Sequence, residues 1–148
     1  EQVRAVAVGI RSLIERAVLE GTDLIIEGAH LVPGFIGGSW EQEAVVVPLV
    51  IAVDDEDLHR SHFFLRAQDS RQRTSDRYLT SFANIRKVQK HIRSLALQRG
   101  VPVIPSYSLD ATLAAVIDHV VSQAVGRAKA SGEPTAAGGG KRASGAKA

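Results

Sequence analysis

The sequence predicts an α/β domain: a small parallel sheet of about three strands, helices on both of its faces, and a disordered C-terminal tail. Three observations carry this. Short aliphatic runs at 23–27, 44–53 and 101–105 alternate with longer stretches whose apolar residues recur every three or four positions. The runs are apolar throughout rather than alternating, as in strands covered on both faces. From Arg127 onward the chain turns to Ala, Gly, Ser, Lys and Pro, which cannot build a core.

The elements follow in order. Val3, Val6, Ile10, Leu13, Ala17 and Val18 predict a helix over 2–20, which Gly21 stops. Residues 23–27, ahead of Gly28, predict a buried strand. Pro33, Gly34, Gly37 and Gly38 mark 30–40 as a loop. The second strand, 44–53, is interrupted by Pro48, which suits a strand edge or an irregularity. The carboxylates of 54–57 favour a helix start, so a helix is expected over 55–67, with a break near 69–75. A long helix over 76–99 buries Phe82, Ile85, Val88, Ile92 and Leu95, and ends at Gly100. Residues 101–105 form the third strand despite two prolines. Asp110 is placed to cap the last helix, with Leu113, Val116, Ile117, Val120 and Val121 as its core stripe. The domain is thus 1–126 and the tail 127–148.

Composition narrows the function classes. The 148 residues are 45% hydrophobic and only 5% aromatic, so the core is aliphatic. Cysteine is absent, which excludes disulfides and thiolate metal sites. No apolar stretch is long enough to span a membrane, and Glu1-Gln2-Val3-Arg4 does not open a signal peptide, so a cytoplasmic location without membrane partners is expected. Methionine is absent and the first helical pattern begins at once, without a cap, so an N-terminal segment is expected to be missing. Arg127, Lys129, Lys141, Arg142 and Lys147 against Glu133 give the tail +4, and the rest of the chain −2.

Two stretches carry candidate chemistry. Glu27 ends the first strand, and ligands of open parallel sheets sit beyond the carboxyl ends of strands. A carboxylate there orients a magnesium-bound water or accepts a proton from a hydroxyl; the plainer alternative is that it caps a turn. Between 58 and 99 lie eight arginines and two lysines against Asp69 and Asp76. Lys87, Lys90, Arg93 and Arg99 suit a solvated helix face. Arg66, Arg71, Arg73 and Arg77 cluster around the predicted break, where forked guanidiniums would serve as a phosphate lid. His59 and His62 allow a metal site, but packing beside the acidic helix start explains them better. A phosphate-cradling loop needs GxxxxGK followed by Ser or Thr. The one Gly-Lys pair, Gly140-Lys141, precedes Arg142, and residues 1–126 contain none.

Several strings together resemble the C-terminal part of the 2-phosphoglycerate kinases, of the P-loop kinase class. These are Ile26-Glu27-Gly28-Ala29-His30-Leu31-Val32-Pro33-Gly34 and Val53-Asp54-Asp55-Glu56-Asp57-Leu58-His59-Arg60-Ser61-His62-Phe63. They continue with Arg77-Tyr78-Leu79, Phe82, Ile85-Arg86 and Gln89, then Gly100-Val101-Pro102-Val103-Ile104. The likeness covers about 3–122. It implies a partial P-loop kinase sheet and a phosphoryl transfer, with ATP and Mg2+, to the 3-hydroxyl of 2-phosphoglycerate, giving 2,3-bisphosphoglycerate. It further implies Glu27 near the metal or the acceptor hydroxyl, and His30 in the substrate loop. Arg66, Arg71 and Arg73 would belong to the lid, Arg77 would hold the acceptor, and Ser106 and Asp110 would border the nucleotide. The family's Walker A loop would lie in the missing N-terminal segment, so the chain alone is expected to be inactive. The alternative is a non-catalytic module binding a phosphorylated metabolite or nucleotide. Nucleic acid is disfavoured as a partner, because no aromatic stacking platform accompanies the basic residues.

Overall fold

The computed structural model describes residues 1–69 and 79–131. Helix α1 spans Gln2–Glu20 and ends at Gly21, whose left-handed backbone (φ 63°, ψ 33°) lets the Thr22 and Gly21 amides close on Ala17 and Val18 carbonyls. A 3-10 turn, Ser39–Gln42, is followed by strand β1, Val50–Ala52, and helix α2, Glu56–Asp69. Helix α3 covers Phe82–Gln98, strand β2 Val103–Pro105 and helix α4 Leu109–Ser131. The two strands pair in parallel, with Val50 opposite Val103, Ile51 opposite Ile104 and Ala52 opposite Pro105. The chain is therefore α/β with a small parallel sheet, as expected. Helix α3 packs on both strands, α4 on β2, and α1 on the 3-10 turn.

Packing corrects several expectations. On α1 the covered face runs through Val3, Ala7, Ile10, Ile14 and Ala17, so Val6 and Leu13 are exposed at 37% and 55%. Ala7, with its small side chain, allows close approach. On α3 the inner face takes Phe82, Ile85, Gln89, Ile92 and Ala96, leaving Val88 outside. The second strand is shorter than 44–53, and Pro48 stands outside it. Helix α4 is capped by Ser108, not Asp110: the Ser108 Oγ accepts from the Ala111 amide at 3.2 Å. That helix runs to Ser131. Its stripe of Leu113, Ile117, Val120 and Val121 is exposed, and among the described elements its main packing partner is β2.

The largest difference concerns 23–27. The backbone from 22 to 28 has no regular hydrogen-bonded structure, and Ile25 is 95% exposed. A strand exists only with a neighbour to pair with, and among the described residues none lies beside it. The loop that follows is better anchored. Val32 and Pro33 are buried, Arg11 donates to the Phe35 carbonyl at 2.9 Å, and a Cβ on Gly34 (φ 88°) would run into the Arg99 guanidinium.

Candidate functional site

The carboxyl end of β1 is where side chains of different elements converge. The strand leaves the sheet after Ala52, whose carbonyl accepts from the Ser106 amide at 2.9 Å. Beyond it the backbone is held by α3. Gln89 accepts from the Val53 amide at 3.2 Å through Oε1 and donates to the Val53 carbonyl at 2.9 Å through Nε2. Arg86 donates to the Val53 carbonyl at 2.6 Å and to the Asp54 carbonyl at 2.9 Å. Arg93 pairs with the Asp54 carboxylate. Residues 86, 89 and 93 step by three and four, so one helix edge supplies all three groups.

The corner then turns into α2. Asp55 caps it, its Oδ1 accepting from the Leu58 amide at 2.6 Å. One turn on, His59 is buried, stacked on Phe63 with ring centroids 5.3 Å apart and edge-on to Phe82 at 5.4 Å. Its Nδ1 lies 3.4 Å from Arg86 Nη1. A guanidinium only donates, so this contact needs Nδ1 as the acceptor. Arg60 covers the other ring, 4.1 Å from the Phe82 centroid, and pairs with Glu56 at 2.8 Å. His59 thus packs against aromatic rings, while His62 is half-buried on the same helix. Among the described residues no group of three or more acidic or histidine side chains is arranged to hold a metal.

The candidate residues divide into three sets. Ser106 lies at this corner, at the carboxyl end of β2; its hydroxyl is 3.4 Å from Thr112 Oγ1, itself bonded to the Ser108 carbonyl at 2.6 Å. Asp110, in the first turn of α4, is exposed. Glu27 is exposed within the unpaired 22–28 segment, and His30 is half-buried in the turn that follows. The backbone of Arg66 belongs to α2, and its side chain lies outside the described residues, as do Arg71, Arg73 and Arg77 entirely. A cavity of about 290 Å3, lined by Glu41, Val45, Val46, Pro48, Gln123 and Arg127, involves none of them.

Sequence reasoning misses the Arg86–Gln89–Arg93 edge. Arg93 reads there as part of a solvated face, and Arg86 and Gln89 carry no site role. The signal lies in their spacing: they fall in step with Phe82, Ile85, Ile92 and Ala96, the packed positions. Among the described residues the sequence holds no GxxxxGK string followed by Ser or Thr. No helix of the described residues is long and apolar enough to cross a membrane.

Comparison with known proteins gives a consistent result. The chain is 33% identical over 126 residues to a 2-phosphoglycerate kinase of Methanothermobacter thermautotrophicus, covering 84% of this chain and 41% of that protein. Proteins of the same name from Methanococcus maripaludis and Thermococcus kodakarensis are 34% and 36% identical over 121 and 122 residues. Each match covers 82% of this chain, and 38% and 40% of the relative. The chain therefore spans about two-fifths of the length of these relatives. No family model matches it, and no solved structure matches significantly.

Proposed function

We propose that this chain is part of a kinase of the 2-phosphoglycerate kinase type, transferring the γ-phosphoryl group of ATP to 2-phosphoglycerate. The observation that carries the proposal is identity of 33–36% to proteins of that name across 82–84% of the chain. In the reaction, the bond from the γ-phosphorus to the ADP oxygen breaks and a bond to the 3-hydroxyl oxygen forms. The hydroxyl proton departs, and the products are ADP and 2,3-bisphosphoglycerate. Kinase relatives imply ATP, with Mg2+ as its companion. The cradle for the nucleotide's phosphates is assigned to the part of such a kinase outside this chain, because 1–126 holds no Gly-Lys pair.

For the residues of this chain the proposed roles are therefore mainly those of the acceptor side. Glu27 accepts the hydroxyl proton or orients a metal-bound water. His30 contributes to the acceptor loop, and Arg77 holds the acceptor's phosphate or carboxylate. Arg66, Arg71 and Arg73 counter the charge of the transferred group. Ser106 and Asp110 border the nucleotide. Gln89 and Arg86 hold the corner from which α2 departs toward this arginine-rich segment.

The test is a chimera in which this chain replaces the matching part of the Thermococcus kodakarensis kinase. It is expected to convert 2-phosphoglycerate and ATP to 2,3-bisphosphoglycerate, while the 148-residue chain alone does not. In the chimera, Glu27→Gln should lower kcat by about 10²-fold or more, and Arg77→Ala should act mainly on KM for the acceptor. A folded chimera without transfer to 2-phosphoglycerate defeats the proposal. The alternative, a non-catalytic module for a phosphorylated metabolite, is favoured by the absence of any Gly-Lys pair in 1–126. It predicts that the chain alone binds 2-phosphoglycerate in calorimetry and that the chimera stays inactive.

A further inference from the structure

The loop after α1 contains two β-turns set end to end. The Leu31 amide donates to the Gly28 carbonyl at 3.1 Å, which makes Ala29 and His30 the central residues of the first turn. The Phe35 amide donates to the Val32 carbonyl at 3.1 Å, which makes Pro33 and Gly34 those of the second. Proline followed by a glycine of φ 88° is the pairing of a type II turn. No residue separates Leu31 from Val32, so a shift of the second turn is passed on to His30. Upstream, 22–28 has no regular hydrogen-bonded structure that would hold His30 from the other side.

The second turn is braced by guanidiniums from two different helices. Arg11, on α1, donates to the Phe35 carbonyl at 2.9 Å. Arg99, at the end of α3, lays its guanidinium in the space that a Cβ on Gly34 would take. Val32 and Pro33 are buried, so the turn is seated on the protein rather than standing clear of it. Only glycine at 34 permits both the positive φ and the close approach of Arg99.

We propose that Arg11 and Arg99 are positioning residues for the acceptor: they fix the Pro33-Gly34 turn and so set the place of His30. This role rests on the one proposed above for His30, and neither arginine touches the substrate itself. A binding group held in place beforehand spares the cost of ordering it when the ligand arrives. Loosening the turn therefore weakens the hold on the acceptor and leaves the nucleotide's affinity alone.

Calorimetry on the folded chimera, with 2-phosphoglycerate and with ATP, tests this without needing turnover. Arg11→Ala is expected to weaken 2-phosphoglycerate binding at least about 5-fold, the worth of one hydrogen bond, with ATP binding unchanged. Arg11→Lys keeps a charged donor for the Phe35 carbonyl and should recover most of the loss. Arg99→Ala should act in the same direction. Gly34→Ala should act more strongly, since it strains the backbone and displaces the Arg99 guanidinium. Full 2-phosphoglycerate affinity in Arg11→Ala and Arg99→Ala overturns the proposal, and so does equal weakening toward both ligands, the mark of a merely structural role. A chimera that fails to bind 2-phosphoglycerate before any substitution defeats the function proposed above, and this role with it. One that binds it and is indifferent to the loss of both arginines defeats this role alone.

Discussion

Two segments that look equally strand-like in sequence fare differently. Residues 50–52 pair with β2 and are continued by the Gln89 clamp, whereas the aliphatic run at 23–27 has no regular structure and exposes Leu24 and Ile25. The difference lies in what stands beside each. At 50–52, β2 supplies the ladder and helix α3 supplies a covering face. At Leu24–Ile25–Ile26 neither is present among the described residues. Aliphatic patterning records that a segment is to be buried, and only the neighbour decides whether it is.

The comparison is broken most severely at the covering face. Phe82 is 2% exposed and touches the rings of His59 and Phe63. Phe82→Ala should cost about 3–5 kcal/mol of unfolding free energy in chemical denaturation. The clamp comes next. Gln89→Ala leaves the Val53 amide and one of the donors to its carbonyl unreplaced, for a loss of about 1–3 kcal/mol. Smaller again is Arg93→Ala, which removes an ion pair with both side chains about 40% exposed. A change of about 0.2–1 kcal/mol is expected, diminishing at high salt.

Much of this is legible in the chain. The helix stop at Gly21, the acidic start of α2 and the end of α3 near Gly100 follow from local chemistry, which needs no partner. What fails to show is tertiary in origin. On α1, Val6 and Ala7 are adjacent around the helix, and the smaller residue faces inward because it permits closer packing. On α3, Arg86 and Gln89 look like solvent residues by type, yet they meet carbonyls where a strand runs out of neighbours. The α4 stripe, strongly apolar, packs chiefly on β2 among the described elements and stays exposed. Of the candidate site residues, Ser106 alone can be placed at the clamped corner from strand order, since both strands are parallel and their carboxyl ends coincide.

The smallest expected effect is the most discriminating. Ile25 is 95% exposed, so in the chain alone Ile25→Ser removes no packed contact. Its unfolding free energy should move by no more than about 0.5 kcal/mol, the range of an ordinary surface change. If the aliphatic run at 23–27 instead acquires a covering neighbour in a complete kinase, the same substitution in the chimera exposes a buried site to a hydroxyl, and the loss should exceed about 1 kcal/mol. Equal small effects in both would mean that this segment is unpaired by nature, and that its apolar character does not serve a sheet. A large effect confined to the chimera would place 23–27 in the same class as 50–52, the two differing only in whether the neighbour is present.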